Sequence, residues 1–194
     1  MYIFDVKLII MINPKISEII RSRKSIYPRE FNGQQIPDEI IMEILSNANY
    51  APTHKMTQPW LFKIFSDLSK SKLLEKIIEI DKDISEKKIK KLKTKFEKSS
   101  HIICICMQTN KDLLPEWEEI AATSMAIQNI WISCVNSNIG GYWSTPKFIT
   151  KINSFLSLKE NEKCLGFFYI GIHNSKSITR NNRDNITEKV EWIR

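Results

Sequence analysis

The chain has 194 residues and a mass of 22.8 kDa, room for one domain with a sizeable core. Hydrophobic residues make up 42% and charged residues 26%, a globular balance, and only 5 glycines and 7 prolines exclude collagen-like and low-complexity chains. The 29 Lys and Arg exceed the 22 acids by seven, which admits nucleic acid, an anionic surface or an anionic cofactor as partner.

Met1 to Ile12 is apolar, but Asp5 and Lys7 interrupt it, no small-residue cleavage site follows, and it is too short to span a bilayer. Two readings of residues 1–12 stand: an added strand, or an upstream start codon ahead of a true beginning at Met11. From residue 13 the pattern is that of one α+β domain running to 194, tail included. Asn13-Pro14 opens a first helix, with a cap residue and then proline at the first helical position. This helix runs through Ile16, Ile19 and Ile20 into Arg21-Ser22-Arg23-Lys24-Ser25. Asn32-Gly33 is a turn. Pro37-Asp38-Glu39 starts a second helix, with Ile40, Ile41, Ile44 and Leu45 as its stripe and Tyr50-Ala51-Pro52 at its end.

A polar loop, Thr53 to Pro59, leads into a strand from Trp60 to Phe65. Residues 70–98 hold eleven Lys and six acids, a local charge of +5. They read as a solvated pair of amphipathic helices with Leu73, Leu74, Ile77, Ile78, Ile84, Ile89, Leu92 and Phe96 on the apolar side. No aromatic residues interleave with these lysines as a stacking platform, so the charge points to a solvated face, and nucleic-acid binding is the least favoured function. A strand is predicted over 101–108. Cys104 and Cys106 share one face of it, and with Cys134 and Cys164 they lack C-x-x-C or zinc spacing. Core packing of reduced thiols, suited to the cytoplasm, is the expectation.

A long helix is predicted over 115–139, opened by Pro115 and acids that favour its dipole and terminated by Gly140-Gly141. It is apolar around most of its circumference, so either it is central to the core or a second subunit covers it. Tyr142-Trp143-Ser144-Thr145-Pro146 reads as a short strand and turn, 147–156 as a helix and 165–172 as the last strand. The tail from Asn174 is polar until Val190, Trp192 and Ile193.

The motifs of phosphate-binding P-loops, dinucleotide-binding glycine loops, serine hydrolases and zinc proteases are absent, and His54, His101 and His173 are widely separated. The cluster Arg21 to Ser25 is the most suggestive feature. Arginine forks and serine hydroxyls suit a phosphate, and the same cations would offset a helix dipole; the cluster alone supports either.

Three segments taken in order, Arg23-Lys24-Ser25-Ile26, Ala51-Pro52-Thr53-His54-Lys55-Met56-Thr57-Gln58-Pro59-Trp60 and Gly140-Gly141-Tyr142-Trp143, resemble the FMN-dependent nitroreductases, most closely their small single-domain bacterial branch. Gly166-Phe167-Phe168-Tyr169-Ile170-Gly171 and the tail from Arg183 to Trp192 are similar to the same family's closing strand and R-x-P-x-x-E-x-V-x-W ending. The resemblance implies a central mixed, mostly antiparallel sheet flanked by helices. It also implies a homodimer with a long interface helix, 115–139, which would account for the apolar circumference.

By the same resemblance Arg23, Lys24 and Ser25 bind the FMN phosphate or ribityl chain, and Arg183 reaches the phosphate from the tail. Thr53 and His54 lie where the family loop approaches FMN, and Gln58 where it nears the partner's cofactor. Tyr142, Trp143, Ser144 and Thr145 match the turn on the ring side, where backbone N–H groups can meet flavin N5. The residue pattern read without the family leaves His54 a loop cap, and Trp60 and Trp143 core residues. Two positions depart from the family: Tyr27 and Ser144 stand where basic residues are common. The implied activity is ping-pong hydride transfer from NAD(P)H through flavin N5 to a nitroaromatic, quinone or activated alkene, with no catalytic side chain, no metal and no membrane. The alternatives are another acceptor (dehalogenation or flavin breakdown) and a flavin-binding redox sensor without turnover.

Overall fold

The computed structural model describes residues 12–174 and 183–194. Asn13 caps helix α1 (Pro14–Ser22) as its sequence predicts: its side chain accepts from the Lys15 N–H at 3.0 Å. Helix α2 (Asp38–Ala48) buries Ile41, Ile44, Leu45 and Ala48, while Ile40, expected on the stripe, is exposed. Strand β1 (Trp60–Phe65) leads to the lysine-rich pair α3 (Asp67–Ile80) and α4 (Glu86–Lys98). One lysine there is not solvated. Lys70 is buried, its ammonium donating to the Ser99 carbonyl at 2.6 Å, and burial pulls its pKa below the ordinary lysine value. Strand β2 (His101–Gln108), helix α5 (Glu116–Ser133), strand β3 (Ile139–Ser144) and strand β4 (Glu162–Ile172) complete the regular elements.

The four strands form one sheet in the order β1-β2-β4-β3, antiparallel at every pairing. Strand β2 lies inside it and is buried on both faces, so its sequence is a nearly continuous apolar run. One face carries Ile103, Ile105, Phe168 and Ile170 against α2 and α5. The other carries Ile102, Cys104, Cys106, Phe167 and Tyr169 against Leu73 and Ile77 of α3, Phe96 of α4, and Ile152. The four cysteines are free and sit in these two cores; burial pushes the Cys134 thiol up to about 12.

Several boundaries differ from the sequence reading; β3 and β4 begin at Ile139 and Glu162, three residues earlier than expected. Helix α5 stops at Ser133, not 139, because Asn136 takes the left-handed conformation at φ 59° and the Ser137 hydroxyl satisfies the Cys134 carbonyl. Gly140 and Gly141 therefore do not end a helix; they lie in β3. A Cβ at Gly141 would fall on the Phe168 ring, so the glycine is needed for sheet packing. Within 147–156, where a helix is expected, there is only a 3-10 turn at Ile149–Ile152. Residues 1–11, the bulk of the N-terminal extension, lie outside the described residues. Among the described residues no helix is long and apolar enough to cross a membrane.

Candidate functional site

Arg23 caps the C-terminal end of α1, its N–H bonded to the Ile19 carbonyl at 3.2 Å, and the chain then runs extended. Two residues past Lys24, the Ile26 N–H donates to the Gly141 carbonyl at 3.0 Å and fastens this segment to the edge of β3. The basic cluster thus forms one wall of an open cavity of about 1360 Å³. Ser22, Arg23, Lys24 and Ser25 line it from this wall, and Gln128 and Trp131 line it from α5. Arg183, 160 positions further along the chain, lines it from the tail.

The charge here is unbalanced. No carboxylate among the described residues pairs with Arg23. Its guanidinium sits over the Trp131 ring, 5.1 Å from the centroid. Burial, and then repulsion from Arg183, hold its pKa below the ordinary arginine value. Two converging guanidiniums that repel each other would both be stabilised by a dianion between them. A smaller space of about 230 Å³, lined by Lys24, Trp131, Cys134, Gly140 and His173, adjoins this region. His173 is buried with its Nδ1 unpartnered, and burial together with Lys24 pulls its pKa down, against a weaker upward pull from Glu30.

Strand β3 supplies the second component. It is the last strand of the sheet, so among the described residues one edge is unpaired with any strand. The His173 N–H bonds the Asn138 carbonyl, whereas the Gly141 carbonyl accepts from Ile26, off the sheet. Backbone groups alternate along a strand, so the Trp143 N–H and C=O face the open edge with those of Gly141, and Tyr142 and Ser144 face β4. The side chains divide likewise. Trp143 packs on the α2 and α5 face. Tyr142 packs on the other, its ring 4.8 Å from Tyr27 and 6.5 Å from Tyr169. Thr145 is exposed just past the strand.

The loop from Thr53 to Gln58 lies elsewhere. Lys55, Met56 and Gln58 all have positive φ, at 49°, 54° and 43°. The Thr53 hydroxyl anchors the turn, 3.0 Å from that of Thr57 and accepting from the Gln58 N–H at 3.2 Å. His54 Nδ1 meets Glu118 Oε2 at 2.5 Å, in the first turn of α5. Trp131 lies thirteen residues further along α5, roughly 20 Å at 1.5 Å per residue. Within one chain, Arg23, Lys24, Ser25 and Arg183 therefore share a cavity. Thr53, half-buried, and His54 and Gln58, exposed, form a separate group, and Tyr142 to Thr145 occupy the sheet edge.

Sequence reading overlooked Gln128, Trp131, Glu118 and His173. The signal for Gln128 was present, one of two adjacent polar residues, Gln128 and Asn129, between Ile127 and Ile130 in the apolar part of the helix. Trp131 was read only as part of the apolar circumference. Among the described residues no group of three or more His, Cys, Asp or Glu could hold a metal ion.

The model of the Nitroreductase family matches residues 20–172, which include the basic cluster, the loop and the whole sheet. The chain belongs to the nitroreductase family. It is 28% identical over 163 residues to "Putative NAD(P)H nitroreductase YfhC" of Bacillus subtilis, a match covering 80% of this chain and 83% of that one. Its fold matches a nitroreductase-like family protein of Bacillus cereus with a TM-score of 0.82 at 24% identity, over 95% of this chain and 99% of the other. It also matches the FMN-dependent nitroreductase NfnB of Mycobacterium smegmatis, solved with NADPH, with a TM-score of 0.74 at 14% identity, over 93% and 99% of the two chains.

Proposed function

We propose that this nitroreductase-family chain is an NAD(P)H-dependent oxidoreductase that binds FMN and works as a cytoplasmic homodimer. The observation that carries the reading is the pairing of Arg23 and Arg183 in one cavity where no carboxylate among the described residues, Glu18 on the cavity wall included, forms an ion pair with Arg23. The residues present suit FMN. Two guanidiniums, Lys24 and the Ser25 hydroxyl match a phosphate dianion, and the open edge of β3 offers the Trp143 N–H to an acceptor atom of a ring.

Bound FMN supplies the hydride chemistry, from NAD(P)H to a nitroaromatic, quinone or activated alkene in a ping-pong cycle. The chain's own work is binding and electrostatics. Arg23 and Arg183 hold the phosphate, which fixes the cofactor's position. The Trp143 N–H would donate toward flavin N5, and Tyr142 and Ser144 in the strand, with Thr145 just past it, would shape the edge that presents it. Thr53, His54 and Gln58, distant from the Arg23 cavity of their own chain, complete the site of the partner subunit. Support for a dimer comes from apolar side chains left uncovered: Trp117 is 66% exposed, and Ile16, Ile20 and Met125 are exposed with it. The domain runs from 13 to 194, the tail being the part that delivers Arg183.

Steady-state kinetics test the enzymatic reading. NADPH oxidation with a nitroarene acceptor should give parallel double-reciprocal lines. Flavin bound without any NADPH or NADH oxidation would leave a redox sensor in its place.

A further inference from the structure

Arg23 can serve a phosphate only if its long side chain is held over the cavity. A free arginine loses rotamer entropy on being fixed. The usual solution, a carboxylate partner, would cancel the charge that the phosphate needs. Here the support is neutral. The guanidinium lies over the Trp131 ring at 5.1 Å, and that ring is itself fixed at two further points. Its indole Nε1 donates to the Gly141 carbonyl at 2.9 Å, and its edge meets Phe168 at 5.3 Å between centroids with planes 73° apart. The same Gly141 carbonyl accepts from the Ile26 N–H. One carbonyl on the sheet edge thus registers both the strand that follows Arg23 and the ring beneath its side chain.

We propose that Trp131 is a positioning residue for the phosphate site: it holds the Arg23 guanidinium in place by cation–π contact, without neutralising it, and so confers preference for a phosphorylated flavin over an unphosphorylated one. The inference rests on the proposed FMN reading. An aromatic face keeps the full positive charge available and desolvates it on one side, which strengthens its pull on a dianion from the other. Arg183 lines the same cavity and repels the same guanidinium, so an anion between them relieves both.

The test is a titration of the full-length protein, freed of flavin, with FMN and with riboflavin, followed by flavin fluorescence. Trp131→Leu removes the platform. FMN affinity should fall by about threefold to thirtyfold while riboflavin affinity stays within about twofold of the parent. Trp131→Phe keeps an aromatic face but loses the indole N–H, and should lose less. In a cycle with Arg23→Ala, the double variant should bind FMN no more weakly than Arg23→Ala alone, because the platform has nothing left to hold. Equal losses for FMN and riboflavin would make Trp131 a packing residue only and overturn the inference. So would a full Arg23→Ala effect in the Trp131→Leu background. If Trp131→Leu does not fold, the cycle with Trp131→Phe reads the same coupling. A parent that does not prefer FMN to riboflavin overturns the phosphate reading and this inference together. A parent that prefers FMN, with the preference unchanged in both Trp131 variants, overturns this inference alone.

Discussion

The Gly141 carbonyl accepts the indole N–H of Trp131 at 2.9 Å and so ties the end of α5 to the open edge of β3. The same glycine lets the strand pack against Phe168. A Cβ there would overlap the Phe168 ring, which is fully buried and cannot withdraw. Gly141→Ala should therefore destabilise the fold by about 1–3 kcal/mol, the usual size of an overpacking cost. Urea unfolding at constant slope would show it as a lower midpoint.

Arg23 contributes charge that no acid among the described residues answers. Arg23→Ala removes one charge-assisted phosphate contact, worth about 1.5–3 kcal/mol, so FMN affinity should fall by about tenfold to a hundredfold. Riboflavin should bind parent and variant alike. Equal FMN affinity in the two would make Arg23 a helix-end charge.

Helix α5 buries Glu119, Ala122, Ala126, Ile127 and Ile130 in its own chain and leaves Trp117 and Met125 outside. Sedimentation should give about twice 22.8 kDa at micromolar concentration. Met125→Glu should shift the protein toward monomer and weaken FMN binding with it, since each site is proposed to draw on both subunits. A monomer that keeps FMN would separate the two ideas.

His173 gives the protein a pH dependence of known sign. Its pKa is depressed in the fold, so the unfolded chain takes up a proton first as pH falls. The stability from burying the neutral imidazole is complete above about 6.5, the ordinary histidine value, and is lost as pH falls through that value toward the lower native one. The melting temperature should drop between pH 7 and pH 5, and His173→Gln should flatten that drop. An unchanged pH slope in the variant would mean that His173 titrates normally.

Much of the fold was legible in the sequence because local rules and burial agree there. Asn13-Pro14 caps α1 where capping chemistry puts it, and the run Ile102 to Met107 is a strand buried on both faces. The misread segments are those that tertiary contacts decide. Gly140-Gly141 looked like a helix stop, but the stop is Asn136, and the glycines serve Ile26 and Phe168 across the sheet. The cavity was half legible. Arg23, Lys24 and Ser25 announce themselves as a cluster, and the family resemblance adds Arg183. Trp131 did not stand out, because an aromatic residue on an apolar helix looks the same whether its face meets the core or a guanidinium. Tyr27, which stands where the family commonly has a basic residue, has its ring against Tyr142 and under the Arg29 guanidinium at 5.5 Å. Tyr142 packs on the sheet face opposite Trp143, and the nearby cation at Arg29 was hidden from a position-by-position comparison.

Whether this chain carries FMN is read from the visible spectrum of the purified protein. The protein should be yellow with a flavin spectrum, and acid should release FMN, about one per chain. A colourless protein that fails to take up added FMN, or one that releases FAD, would contradict the FMN reading.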